Sequence, residues 1–150
     1  MKVKKHIFYL LTSIILTLTG CLPTNQSVDT PPPHAQVESK IEENEAYYSL
    51  EDVTSYLIEY EKLPKNYLTK KEALDLGWEP SEGNLWDVTD KGVIGGDYFG
   101  NFEGSLPDGD YKEADVNYDG GRRGAERIVY DEDLNIYYTE DHYDSFERIN

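Results

Sequence analysis

Apolar residues recur along the first part of the chain with the period of helices, and along the second with the period of strands. Val53, Tyr56, Leu57, Tyr60 and Leu63 follow one another at helical spacing, which gathers them on one side of a helix. Ser49 precedes the run as an N-cap with Asp52 three residues later, and Pro64 is expected to stop it. Thr69-Lys70-Lys71-Glu72 has the form of a capping box. It predicts a second, short helix through Ala73, Leu74 and Leu76, with Gly77 at its C-terminal cap. Lys70 then lies in a first helical turn, where unpaired amide groups favour anions. After Gly83 the pattern changes. Glu113-Ala114-Asp115-Val116-Asn117-Tyr118 alternates strictly, with Ala114, Val116 and Tyr118 expected on the core face and Glu113, Asp115 and Asn117 on an open opposite face. Residues Arg127 to Tyr130 and Asn135 to Thr139 read as strands joined by a turn at Asp131-Glu132-Asp133. A last strand is expected to carry Tyr143, Phe146 and Ile149. Helices followed by strands predict an α+β fold, with N-terminal helices packed on a C-terminal antiparallel sheet.

The first 46 residues fit none of these patterns. Lys2, Lys4 and Lys5 precede an apolar run from Ile7 to Leu18, too short for an ordinary membrane span, which reads as a signal peptide over residues 1–20. The run ends in Leu18-Thr19-Gly20-Cys21, which resembles a bacterial lipobox. Cys21 is then the lipidated first residue of an exported protein, held at the outer face of the cell membrane, or else the chain is simply secreted. As the sole cysteine it has no partner for an intrachain disulfide, so the domain must be held by its core. Residues 21–46, with Pro31 to Pro33 and a glutamate-rich run, read as a solvated tether, and residues 47–150 as one domain.

Charge sets a constraint. The chain carries −16 at neutral pH, and −19 once Lys2, Lys4 and Lys5 leave with the leader. Such a surface repels nucleic acids at long range, so a nuclease built on it must concentrate its few cations.

Several segments resemble one family in order along the chain. Leu63-Pro64-Lys65-Asn66-Tyr67-Leu68-Thr69-Lys70, Ala73 to Trp78 and Gly83-Asn84-Leu85 are similar to the helical half of barnase-like, guanyl-preferring microbial ribonucleases. Ile94-Gly95-Gly96-Asp97, Phe99, Asn101, Glu103-Gly104 and Leu106-Pro107 resemble the family's base-recognition loop. Glu113-Ala114-Asp115, Asn117-Tyr118, Arg123, Arg127-Ile128, Tyr130 and Asp141-His142-Tyr143 resemble its catalytic strands. The resemblance implies a monomeric endoribonuclease that needs no metal or cofactor. It would cut single-stranded RNA 3′ of guanine by attack of the 2′-hydroxyl.

By resemblance Glu113 is the general base and His142 the general acid, and Lys70, Arg123 and Arg127 surround the scissile phosphate. His142 is also the one histidine of the chain outside residues 1–46. Glu103 would accept from guanine's Watson–Crick edge, Asn101 would support the loop and base, and Phe99 or Tyr143 would stack. RNA is the implied partner, and a barstar-like inhibitor a candidate protein partner. Read without the resemblance, Glu113 is a solvated strand residue, His142 a structural histidine and the three cations a balance to the acidic surface. The surrounding negative charge predicts a raised Glu113 pKa. The family usually has arginine where this chain has Phe102, and a small hydroxyl residue in place of Gly100, which puts guanine preference in doubt.

One motif competes. Asp115-Val116-Asn117-Tyr118-Asp119-Gly120 through Glu126 fits the EF-hand calcium pattern. A calcium-binding surface lipoprotein and an inactive anchored nucleotide-binding module of the same fold are the alternatives. An EF-hand needs helices on both sides, whereas the flanking residues read as strands, and Arg122 and Arg123 would place two cations inside the loop.

Overall fold

The computed structural model describes residues 40–150. The leader, Cys21 and most of the tether lie outside the described residues. Helix α1 spans Leu50–Tyr60, with the Ser49 hydroxyl accepting from the Asp52 amide as its N-cap. It ends earlier than Pro64 would impose, because Glu61 turns left-handed and donates its amide to the Leu57 carbonyl. Part of the expected tether is structured: the Tyr60 hydroxyl donates to the Ile41 carbonyl and the Asn44 amide to the Tyr56 hydroxyl, so residues 41–46 lie along α1 ahead of Tyr47.

Helix α2, Lys70–Asp75, carries the full capping box between Thr69 and Glu72. Of its three expected apolar positions only Ala73 is buried; Leu74 and Leu76 face solvent. A one-turn helix α3, Leu85–Val88, and a two-residue strand β1, Tyr67–Leu68, are further elements too short to show a period.

The strands that follow are β2 (Val93–Phe99), β3 (Tyr111–Asp115), β4 (Arg127–Tyr130), β5 (Ile136–Thr139) and β6 (Glu147–Arg148). Among the described residues they form with β1 a six-stranded sheet in chain order. Neighbours from β2 to β6 are antiparallel, as expected, while β1 runs parallel to β2. That one parallel pair is permitted because α2 and α3 supply the crossover between its strands. Tyr143 and Phe146 lie in the turn before β6 rather than in a last strand.

Helix α1 packs Val53 and Leu57 against Ala114, Val116, Ile128, Tyr130 and Ile136 on one sheet face. A second cluster, from Ala73, Trp78, Leu85, Val93, Ile94 and Tyr118, joins α2 and α3 to the β2 end. The opposite face is not open. Leu106, Tyr111, Val129 and Tyr137 form a third cluster there, with Phe99, Tyr143 and Phe146 packed on it. This covering turns one side of β3 into the wall of a cleft.

Candidate active site

Strand β3 brings Glu113 and Asp115 to the covered face. A bulge between Gly95 and Asp97, with Gly96 at φ +91°, sets Asp97 opposite Glu113. A left-handed backbone is available to glycine at little cost, and the extra residue re-aims the side chains that follow. Asp97 accepts from the Lys70 amide at 2.9 Å, so the protein's own carboxylate meets the first turn of α2. The same contact docks α2 so that the Lys70 ammonium donates to Glu113 Oε1.

Glu113 is 5% exposed, not solvated as the alternation suggested. Its second oxygen, Oε2, accepts from the Tyr143 hydroxyl. Burial alone raises the carboxyl's pKa, but the hydrogen bonds from Lys70 and Tyr143, with the charges of Lys70 and Arg123, outweigh it and hold the pKa below the ordinary value. The expected upward shift is thus reversed: local donors override the acidic surface, whose charges are farther away and screened. Tyr143 is correspondingly held protonated, by its burial first and then by the carboxylate it donates to.

The two arginines converge on one buried carboxylate. Arg123 donates from Nε and Nη2 to Asp115 at 2.7 Å each, a bidentate pair. Arg127 Nε lies 3.2 Å from Asp115 Oδ1 but is poorly aligned for a hydrogen bond, and its Nη1 donates to the Gly124 carbonyl at 2.9 Å. The Arg127 guanidinium also rests over the Tyr143 ring, 5.4 Å from its centre. Asp115 shares the predicted face with Glu113, but nothing in the local pattern marked it as the holder of both arginines. Lys70, Arg123 and Arg127 stand against Glu113, Asp115 and the neighbouring Asp97, so three cations are concentrated on one face of a strongly acidic chain.

His142 is exposed and follows β5 on a tight turn. His142 and Tyr143 both take positive φ, 59° and 76°. Such conformations are unfavourable for these residues and persist only where neighbours impose them. Here Asp141 accepts from the Thr139 hydroxyl and from the Ser145 amide and hydroxyl, while the Tyr143 amide donates to Thr139 Oγ1 at 2.9 Å. The imidazole lies 4.9 Å from the Tyr143 ring and faces an open cleft walled by Arg122, Arg123 and Arg127. Glu113 and His142, 29 positions apart in the chain, therefore both contact Tyr143, the carboxylate through its hydroxyl and the imidazole through its ring.

On the other flank of His142 is a cavity of about 280 Å³, lined by Phe99, Phe102, Glu103 and Tyr143 among others. Phe99 packs on Tyr143 at 5.1 Å. Glu103 is exposed on the loop. The Asn101 side chain is spent on the loop itself, donating to the Leu106 and Pro107 carbonyls and accepting from the Leu106 amide. It builds the cavity rim and is engaged with loop backbone, where support of the base was expected as well.

A family model described as ribonuclease matches residues 51–150. The chain is 42% identical over 130 residues to a ribonuclease of Bacillus intermedius, covering 85% of this chain and 80% of that one. It is 49% identical over 104 residues to a ribonuclease of Heyndrickxia coagulans, covering 67% and 95%. The chain belongs to the barnase-like microbial ribonucleases. RNA is the substrate that membership implies.

The calcium pattern of this ribonuclease is built into other contacts. Strands β3 and β4 flank the segment, not helices. Asp115 holds the arginines, Asn117 accepts from the Leu50 amide and donates to Glu126, and Glu126 accepts from the Tyr138 hydroxyl.

Proposed function

We propose that the protein is an extracytoplasmic endoribonuclease that cleaves single-stranded RNA 3′ of guanine through a 2′,3′-cyclic phosphate. The supporting observation is the shared flank of Glu113, His142 and the arginine-walled cleft around Tyr143. Glu113 takes the proton of the 2′-hydroxyl as that oxygen attacks phosphorus. His142 gives a proton to the departing 5′-oxygen, so no charge is stranded on either oxygen. Each carboxylate oxygen has a second lone pair beyond the one Lys70 or Tyr143 uses, so the base is oriented and still able to accept. Arg123 and Arg127 are fixed beforehand by Asp115 and stabilise charge growing on the phosphoryl oxygens. Glu103 accepts from the N–H groups of guanine's Watson–Crick edge while Phe99 offers a stacking face. Export and anchoring rest on residues 1–20 and Cys21, whose pattern is that of a lipoprotein leader.

Incubation of the full-length protein with a guanosine-containing RNA dinucleotide should release a guanosine 2′,3′-cyclic phosphate and the 5′-hydroxyl nucleoside. The 2′-deoxy analogue should be inert. Equal cleavage of both would overturn the mechanism, and cleavage without preference for guanosine over adenosine would overturn the base assignment.

The pH profile supplies an independent check. Because the folded environment lowers the Glu113 pKa, the acid limb of kcat/KM should fall below the usual glutamate range. In Lys70→Gln the largest donor opposing burial loses its charge, so the acid limb should move to higher pH. An acid limb that stays in place in that variant would mean that Glu113 is not the group titrating.

A further inference from the structure

We propose that Phe102 is a second aromatic contact for the RNA base, and that Gly100 is the residue that positions it; the proposal rests on the RNA-cleaving reading above. Phe102 is 92% exposed, the most exposed of the large apolar side chains described, and it belongs to none of the three core clusters. Stability gives no reason for a phenylalanine there. Its ring lies over Gly100. A Cβ built on Gly100 would fall 2.1 Å from Phe102 Cε2, 2.7 Å from Cδ2 and 2.8 Å from Cζ, so the ring lies directly against the glycine. Gly100 is not among the residues with positive φ. The absent side chain at this position makes room for the ring and serves no backbone conformation, and a larger residue would make the exposed ring swing aside.

The loop beneath the ring is fixed, since Asn101 ties it to the Leu106 and Pro107 backbone. The ring lines the same cavity as Phe99, Glu103 and Tyr143. A planar ligand held at Glu103 thus meets aromatic surface from Phe99 and from Phe102. Charge makes this contact useful. No lysine or arginine occurs between Tyr98 and Lys112, and the chain as a whole repels RNA. Attraction to phosphate weakens with salt, whereas stacking accepts any π-face and depends little on salt. In this chain the base-side affinity is carried by rings where a cation would be salt-sensitive.

Calorimetric titration of the full-length protein with guanosine 3′-monophosphate tests this without turnover. Phe102→Ala should weaken binding about tenfold, the ordinary size of one base–aromatic contact, at both 0.05 M and about 0.5 M salt. Gly100→Ala should weaken it comparably by displacing the ring. The double variant should be no weaker than either single one, because both changes remove the same contact. Unchanged affinity in Phe102→Ala overturns the proposal, as do additive losses in the double variant or absence of nucleotide binding by the unaltered protein. If Phe102→Ala binds normally while the dinucleotide is still cleaved, only the aromatic contact falls. If binding depends on Phe102 but no RNA is cleaved, the contact stands and the catalytic reading falls.

Discussion

Replacing Glu113 with glutamine is expected to lower kcat for RNA cleavage by about 10²- to 10⁴-fold, the usual worth of a positioned proton acceptor. The substitution keeps the size of a side chain that is buried between Lys70 and Tyr143, but its one oxygen can accept from only one of those two donors and its NH2 faces the other. Thermal unfolding of the variant is therefore needed beside the rate to separate lost chemistry from lost packing. His142→Ala should cost a similar factor. Its imidazole is exposed and the turn that carries it is held by Thr139, Asp141 and Ser145, so the fold has little reason to respond. Because the two groups serve one proton-transfer sequence, the double variant should be far less impaired than the product of the two losses. Steady-state cleavage of a guanosine dinucleotide measures all three. A Glu113→Gln enzyme within threefold of the unaltered rate would show that another group takes the 2′-hydroxyl proton.

Asp115→Ala should be the most destabilising single change in the site. Asp115 is 3% exposed and the side chain of Arg127 4%, so removing the carboxylate leaves Arg127 buried with no opposing charge and frees Arg123 from its bidentate hold. Breaking a buried pair from one side costs about 3–5 kcal/mol, against near neutrality when both partners are replaced by apolar groups. For a domain of this size that corresponds to a fall in Tm of more than about 10 °C. Thermal unfolding followed by circular dichroism measures it. A fall of less than about 3 °C would mean that solvent or the Gly124 carbonyl satisfies the arginines without Asp115. Surviving protein should also cleave RNA poorly, since the guanidinium groups no longer wait in place for the phosphate.

The regular elements were legible because their side-chain periods are local. Ser49 and the Thr69–Glu72 box marked helix starts, and the alternation through Glu113 to Tyr118 told which residues share a face. Family resemblance supplied the roles that spacing left open, with Glu113 equally readable as a solvated strand residue. Strand β1 and helix α3 were missed because two and four residues hold no period. The extent of α1 differed because its stop is a left-handed Glu61 rather than the proline.

Taken alone, the amino-acid order determined which residues alternate, where helices begin, how acidic the chain is and which few side chains have acid–base chemistry to offer. Tertiary structure decided what covers the Glu113 face, and with it the sign of that carboxyl's pKa shift, the commitment of Lys70 to the base and of both arginines to Asp115, and the conversion of Asn101 into loop scaffold. The division has a physical cause. Period and capping depend on neighbours three or four residues away, whereas burial and charge pairing depend on groups that the sheet register and the turns bring from 8 to 43 positions apart.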